Sequence, residues 1–422
     1  MDVKIINVAL CGGGVVGGGV CEIINSKNSD LLRNGIVFNI TKILVKSLNK
    51  SRDFTIPTDT IVTDNFENII TDSKIDMIVE VIGGDTIAKD IMHFALSTRK
   101  PFITANKALL AKHLDEIINI NTANTFIGYE SSVGGGIPII KSLQRDIIQT
   151  DDVKQISGIL NGTTNFILSK MSINGWSYDY ALKDAQRLGY AEADPTSDVE
   201  GFDALYKICI LCKLGLGKIL NVDEIPRIGI SKIDAVDFEY AKTLNCAIKL
   251  IGTCKLLNNK IQCIVSPMLI ENTNTIASIN NATNIIEIKS KYLSNSYYVG
   301  QGAGRYPTAE AVVSDMVNYV KTTNTKPFAL TSDYEYNNNY ESKFYIRINA
   351  KDKVGIIKDV GNVFNIYGVS IDAILQNKIK NPDNIAFVVT TDPTDLHKIR
   401  NIVKTIDELS WSLSEPLYLP FL

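Results

Sequence analysis

The stretch VKIINVALCGGGVVGGGV, residues 3–20, decides how the chain begins. An apolar run of strand character, VKIINVALC, leads straight into glycines at positions 12, 14 and 17, and the chain continues as VVGGGV, which is compatible with a helix. In that setting Gly12 permits a tight turn, Gly14 lets the backbone approach a pyrophosphate, and Gly17 lets the helix pack closely on the strand, with the helix N-terminus facing the anion. The same spacing alone fits a plain glycine-rich turn; the strand in front of it makes a dinucleotide site the better reading. Working outward to about residue 130, the strand-like runs GIVFNITKILV, KIDMIVEVIG, PFITA and TFIGYE alternate with helical patterns such as TIAKDIMHFALSTR and KALLAKHLDEIINI. That alternation predicts a doubly wound parallel sheet.

The second strand of such a sheet usually ends near an acidic residue that binds a ribose diol. Here it runs into LVKSLNKSR, with Lys46, Lys50 and Arg52 and no carboxylate before Asp53. A basic loop at this point suits a 2′-phosphate, so NADP is favoured with NAD as the alternative; a solvated basic loop would look the same.

Beyond residue 130 the pattern becomes mixed. Helices are expected at 136–148, 164–173, 177–188, 198–214 and 308–321, with the extended pair LIGTCKLLNN and KIQCIVSPMLI between them, an α+β domain on an open sheet. TSDYEYNNNYES, residues 331–342, reads as a linker. After it come FYIRINA, VGIIKDVGNVFNIYG, VSIDAILQ, NIAFVVTT, DLHKIRNIVKTIDEL and PLYLPF, a βαββαβ order that fits a ferredoxin-like module. The domains are therefore expected at 1–130 with a return of 308–325, at 131–330 and at 343–422.

The whole chain has 422 residues, 45% of them hydrophobic and 21% charged, an ordinary globular balance. A net charge of -3 leaves no nucleic-acid footprint. No apolar run reaches membrane-spanning length and the N-terminus does not read as a signal peptide, so a cytoplasmic protein is expected. Seven cysteines, an odd number, read as free thiols, and the Cys209/Cys212 pair sits at helical spacing in an apolar run.

A dehydrogenase must move a hydroxyl proton, often with histidine. The three histidines, His93, His113 and His397, lie in helical patterns and read as surface or packing residues. The proton carrier is then a lysine, a tyrosine or a carboxylate, which directs attention to GYAEADPTSDVEGFDALYKICILC, residues 189–212. Asp203 and Lys207 are four residues apart, with Glu200 one turn earlier, and the helix beyond is apolar all round. A helix apolar on every side is buried, so its first charged turns must face a cleft or be paired inside. Partial burial lowers a lysine pKa and neighbouring carboxylates raise it, which permits tuning for proton transfer. A structural ion pair fits the same spacing.

Several ordered motifs resemble monofunctional homoserine dehydrogenase: VALCGGGVVGGGV at 8–20, VEVIGGDT at 79–86, TANKALLA at 104–111, YESSVGGGIPII at 129–140, GILNGTTNFILSKM at 158–171, LGYAEADPTSDVEGFDALYK at 188–207 and GQGAGRYPTAEAVVSDM at 300–316. The C-terminal module resembles an ACT domain. The resemblance implies a Rossmann-type nucleotide domain, an α+β substrate and dimerisation domain, and a ferredoxin-like regulatory domain. It implies NAD(P)-linked interconversion of L-homoserine and L-aspartate 4-semialdehyde in threonine, methionine and isoleucine biosynthesis, by a homodimer or higher oligomer. Lys207 then corresponds to the acid/base lysine and Lys107 to a second lysine between cofactor and substrate. Glu192 and Asp203 correspond to substrate-binding carboxylates, Asp198 to a supporting carboxylate or a helix cap, and Asp194 to a turn residue before Pro195. For the cofactor the similarity points to Gly13, Val15, Val16, Gly83, Gly84, Lys107, Gly189 and Gly302. It also implies a monovalent cation, sodium, held by Glu130 and the carbonyls of Val133, Gly135 and Ile137, and an amino-acid effector such as threonine at the ACT-like module.

The chain departs from the family pattern at Lys46-Ser47, where Arg-Asp is frequent, at Thr86-Ile87 after the glycine pair, and at Val354, where ACT domains often carry proline before the glycine. Two rivals stand beside this reading. Aspartate-semialdehyde dehydrogenase needs a cysteine nucleophile with a base, and the cysteines here lie in apolar patterns. A non-catalytic sensor of nucleotide and amino acid would have no need of Lys207 and Lys107.

Overall fold

The computed structural model describes residues 3–322, 328–377 and 381–422. The chain forms two compact units. The first comprises residues 1–156, 206–223 and 286–333, and the second residues 157–205, 224–285 and 334–422.

The first unit is built on a parallel sheet in the order Ile61–Thr63, Ile36–Leu44, Lys4–Cys11, Met77–Glu80, Phe102–Thr104 and Ile127–Gly128. This is the doubly wound order, and its strands are apolar because both faces are covered. Val8, Leu10, Ile43, Met77, Val79 and Ile103 form its buried centre, against Val312 and Met316 of the helix Arg305–Lys321. That helix starts three residues before the expected 308, because Pro307 in a first turn gives up only an N–H that has no helical partner. The helix Lys107–Ile120 has the expected bounds, with the Asn106 side chain accepting from Leu109 N at its start. The segment expected as one helix over 136–148 instead begins at Ile139 and passes through a π-helical turn, Ser142–Ile147. Gly134 and Gly135 take φ of 75° and 54° ahead of it, which a helix cannot include.

The second unit contains the hairpin Cys246–Leu257 and Lys260–Glu271, paired along all twelve residues. Asn258 and Asn259 make its turn with φ of 50° and 65°, the left-handed pair that a two-residue hairpin turn requires. The expected helix over 198–214 is interrupted: Thr196–Val199 stops at Gly201, φ 80°, and a new helix, Phe202–Leu216, begins, most of which belongs to the first unit. The C-terminal module has the sheet order Ile371–Gln376, Ile385–Thr391, Phe344–Ala350, Leu417–Pro420, antiparallel throughout, with helices Ile356–Ile366 and Leu396–Asp407. This is the βαββαβ module that the sequence predicts.

The linker reading of 331–342 does not hold. Glu335–Tyr336 pairs in parallel with Lys260–Ile261, and Glu341–Ser342 pairs with Thr394–Asp395. Tyr340 between them is 2% exposed, with Lys255 Nζ 4.2 Å from its ring centroid. One large aromatic side chain outweighs the polar composition around it.

The module is also fastened to the helix Ala235–Thr243. Asp237, 0% exposed, accepts from Tyr345 Oη at 2.7 Å and from the Arg347 guanidinium at 2.7 Å. Tyr240 donates its hydroxyl to Ala386 O and accepts from Asn377 N. Burial raises the Asp237 pKa while Arg347 opposes the rise. Removing one member of a buried pair leaves the other charge uncompensated, so Arg347→Met is expected to lower unfolding free energy by about 3–5 kcal/mol. Urea unfolding of Arg347→Met and of Arg347→Met with Asp237→Asn checks this: the double variant should recover part of the loss, and equal losses would contradict it.

Candidate active site

The glycines at the start of the first unit divide their work as the spacing predicts. Gly12 sits at φ 122°, where a Cβ would lie 2.7 Å from Val81 O, and a Cβ on Gly17 would lie 1.9 Å from Gly12 O. These two permit the turn and the helix-strand approach. Gly14, which caps the helix Val15–Ser26, has nothing within 4 Å of a Cβ position, so its side is open to a ligand. Val15 is 61% exposed at the same edge. Gly83 and Gly84, φ 78° and 74°, are equally open. The residues present therefore fit a dinucleotide, with a helix N-terminus for its phosphates.

Beside them, Gly13 lies under Val45 and the Arg52 side chain. Arg52 is held by its own loop, donating to Ser47 O, Leu48 O and Lys50 O, while Lys46 is exposed. Asp53, the first carboxylate after the strand, is engaged by Arg305 at 2.6 Å, and Arg305 also holds Glu22.

Glu130 is 3% exposed. Its two oxygens accept from Ile140 N at 2.8 Å and Lys141 N at 2.9 Å, and its own N–H donates to Asp315. Burial first, and the Asp315 charge second, push its carboxyl up to about 7. Lys141 Nζ stands 3.3 Å from Asp315. The adjoining loop carries Val133, Gly135 and Ile137. A Cβ on Gly135 would lie 2.7 Å from Gly302 O, so this loop and the buried Gly302 lie backbone to backbone. Among the described residues no group of three or more His, Cys, Asp or Glu side chains gathers as a metal cage. A cation here would rest on one carboxylate and backbone carbonyls, the donor set of a hard ion.

Lys107, half-buried, opens the helix Lys107–Ile120. Lys112 on the same helix lies 5.7 Å from the ring centroid of Tyr206 and 3.2 Å from Asp85. The helix that begins with Lys107 thus reaches the residue next to Lys207. Lys207 itself is 6% exposed.

In the second unit, Asp203 is buried and Asp198 half-buried, and one side chain joins them. Asn161 Nδ2 donates to Asp198 Oδ1 at 2.7 Å and to Asp203 Oδ2 at 2.9 Å. Its Oδ1 accepts from Thr164 N and caps the helix Gly162–Asn174. Asp198 is therefore a tethered carboxylate; the cap of its own short helix is Pro195. Asp194 accepts from Thr196 N and Oγ1, the turn role expected of it. Glu192 is exposed in the preceding loop. Gly189, φ 78°, ends the helix Tyr178–Arg187 and is open to solvent. Its left-handed backbone is accounted for by that helix end.

Comparison with known proteins assigns the chain a family. The family model for the homoserine dehydrogenase NAD-binding domain matches residues 12–129, that for homoserine dehydrogenase residues 138–317, and that for the ACT domain residues 344–409. The homoserine dehydrogenase of Bacillus subtilis is 36% identical over 416 residues, 96% of both chains. The chain belongs to the homoserine dehydrogenase family. A crystal structure of a homoserine dehydrogenase from Thiobacillus denitrificans superposes with a TM-score of 0.91 at 31% identity, over 100% of this chain and 99% of that one. A hyperthermophilic archaeal homoserine dehydrogenase in complex with NADPH superposes at 0.63 with 27% identity, over 76% of this chain and 99% of that one. Homoserine dehydrogenases are NAD(P)-dependent oxidoreductases that interconvert L-aspartate 4-semialdehyde and L-homoserine, and this assignment displaces the sensor reading.

Asn161, which joins the two carboxylates, is not marked by the sequence of its motif GILNGTTNF. The asparagine followed by glycine and threonines is a helix-start signal, and nothing local marks the second partner of its side chain. His93 and His113 both meet Glu116, at 2.8 and 3.2 Å, on the surface between two helices, as packing residues would. None of the seven cysteines is in a disulfide, and all are buried. For Asn161→Ala, loss of the cap costs about 1 kcal/mol. The displaced carboxylates should lower kcat/KM for homoserine by about 10²-fold, since small misplacements near the chemistry have such effects. Steady-state kinetics beside a melting curve check this, and an unchanged kcat/KM would remove Asn161 from the site.

Proposed function

We propose that Lys207 moves the proton of the reaction and that Lys107 holds the developing oxyanion, while Glu192 and Asp203 bind the substrate, with Asp198 and Asn161 supporting Asp203. The observation that carries this reading is the chemistry of the helix Phe202–Leu216: a 6% exposed lysine one turn after a 3% exposed aspartate, while His93 and His113 are engaged with Glu116. When bound, the nicotinamide supplies or accepts the hydride at substrate C4. In the reducing direction the Lys207 ammonium gives a proton to the new alkoxide oxygen; in the oxidising direction the neutral amine takes it back. The Lys107 ammonium, fixed at a helix start by the Asn106 cap, stabilises negative charge on that oxygen. The carboxylates Glu192 and Asp203 suit the α-ammonium of homoserine.

NADP is proposed as the preferred cofactor, read by Lys46 and Arg52, with Gly12, Gly13, Gly14, Val15, Val16, Gly17, Gly83, Gly84, Gly189 and Gly302 lining its path. Sodium is proposed at Glu130, Val133, Gly135 and Ile137, where a buried carboxylate beside Asp315 gains from a counter-charge. We further propose a cytoplasmic homo-oligomer serving threonine, methionine and isoleucine synthesis, with an amino-acid effector at the C-terminal module. The functional domains follow as 1–130 with 308–325, 131–330 and 343–422.

Initial rates at 340 nm with L-homoserine, with NADP and with NAD, are expected to favour NADP and to lose about 10²- to 10⁴-fold in kcat in Lys207→Ala with cofactor affinity retained. A parallel loss of cofactor affinity would make Lys207 structural. Replacing sodium by tetramethylammonium at constant ionic strength should lower both rate and melting temperature. Identical values in the two salts would rule out the cation site.

A further inference from the structure

Glu80 ends the strand Met77–Glu80 with its side chain 0% exposed; it lies within the motif VEVIGGDT, and none of the roles above uses it. Its Oε1 accepts from Ile82 N at 2.8 Å and Gly83 N at 3.2 Å, and its Oε2 accepts from the Thr104 hydroxyl at 2.6 Å. Thr104 Oγ1 in turn accepts from Asn106 N at 3.0 Å. Asn106 then closes the loop in two directions: its Oδ1 accepts from Leu109 N at 3.0 Å in the first turn of the Lys107 helix, and its Nδ2 donates to Gly84 O. Each oxygen of one carboxylate therefore serves a different segment, one the left-handed glycine turn and the other the TANK segment.

A structural strand-end role needs much less. A serine or asparagine would satisfy two turn N–H groups without burying a charge, and an isolated buried carboxylate is costly. Burial raises the Glu80 pKa, and hydrogen bonding by the Thr104 hydroxyl, the Ile82 and Gly83 N–H groups and the Asn106 side chain opposes that rise. What the carboxylate adds is a two-sided acceptor that fixes the open faces of Gly83 and Gly84 relative to the helix start that bears Lys107.

We infer that Glu80 is a positioning residue, which with Thr104 and Asn106 clasps the 82–84 turn to the first turn of the Lys107 helix and so sets where the Lys107 ammonium stands against the ligand-facing glycines. This rests on the role given above to Lys107. Glu80 and Thr104, both fully buried, hold the two segments from beneath the surface.

The test is a double-mutant cycle on the full chain with NADPH and L-aspartate 4-semialdehyde, using Glu80→Gln, Thr104→Val, Lys107→Ala and the doubles with Lys107→Ala. Glu80→Gln keeps an acceptor for the turn but turns an N–H₂ toward Thr104, and Thr104→Val cuts the same link from the other side, so either serves if the other fails to fold. The expected result is a fall in kcat of about 10- to 100-fold with KM for the semialdehyde within about twofold, and no further loss when Lys107 is already alanine. A lowered melting temperature with kcat unchanged overturns the proposal. So does an additive loss in the Lys107→Ala background, which overturns the clasp alone while leaving the role of Lys107 intact. An unchanged kcat in Lys107→Ala by itself overturns the role of Lys107 and the clasp with it.

Discussion

A carboxylate removed from water is costly unless donors meet it, and such donors organise the protein at four places among the described residues. Glu80 collects two turn N–H groups and a threonine hydroxyl. Glu130 takes the first N–H groups of the segment that starts at Ile139. Asp203 and Asp198 share the amide of Asn161, and Asp237 takes a tyrosine and an arginine. Glu80, Asp198, Asp203 and Asp237 each draw a donor from a segment 24 or more residues away, so each ties together elements that are distant in sequence. Apolar burial supplies the bulk of the stability, and these acids supply the geometry.

The same distinction explains what was legible in the sequence. Alternating apolar runs read the parallel sheet of the first unit and the βαββαβ order of the last 80 or so residues, because periodic burial is written locally. The helix 107–120 was legible to the residue, since Asn106 caps it and the apolar positions repeat. Where one glycine or one large side chain overrides composition, the reading failed. Gly201 breaks what apolar continuity presents as one helix, Gly134 and Gly135 delay the next, and Tyr340 anchors a stretch of asparagines that reads as linker.

For the proposed site, the residues proposed for direct chemistry were legible, and those proposed to act through another side chain were not. Lys207, Asp203 and the glycines announce themselves by burial pattern and spacing. Asn161 and Glu80 look ordinary in sequence: one is a helix cap, the other the last residue of a buried strand. Their second hydrogen bonds run 37 and 42 residues away in one case and 24 in the other. Such separations leave no mark on local periodicity.

The C-terminal module shares a single apolar core with the hairpin of the second unit. Ile251, Ile264, Met268 and Ile270 lie in the same cluster as Phe344, Ile346, Phe387 and Leu396. In evolutionary terms, such a module is not a bead added to a finished enzyme. A lineage that gained or shed it would have had to rewrite the hairpin's outer face from apolar to polar in step, or pass through a form that aggregates. Module and hairpin are therefore constrained as two sides of one packed core.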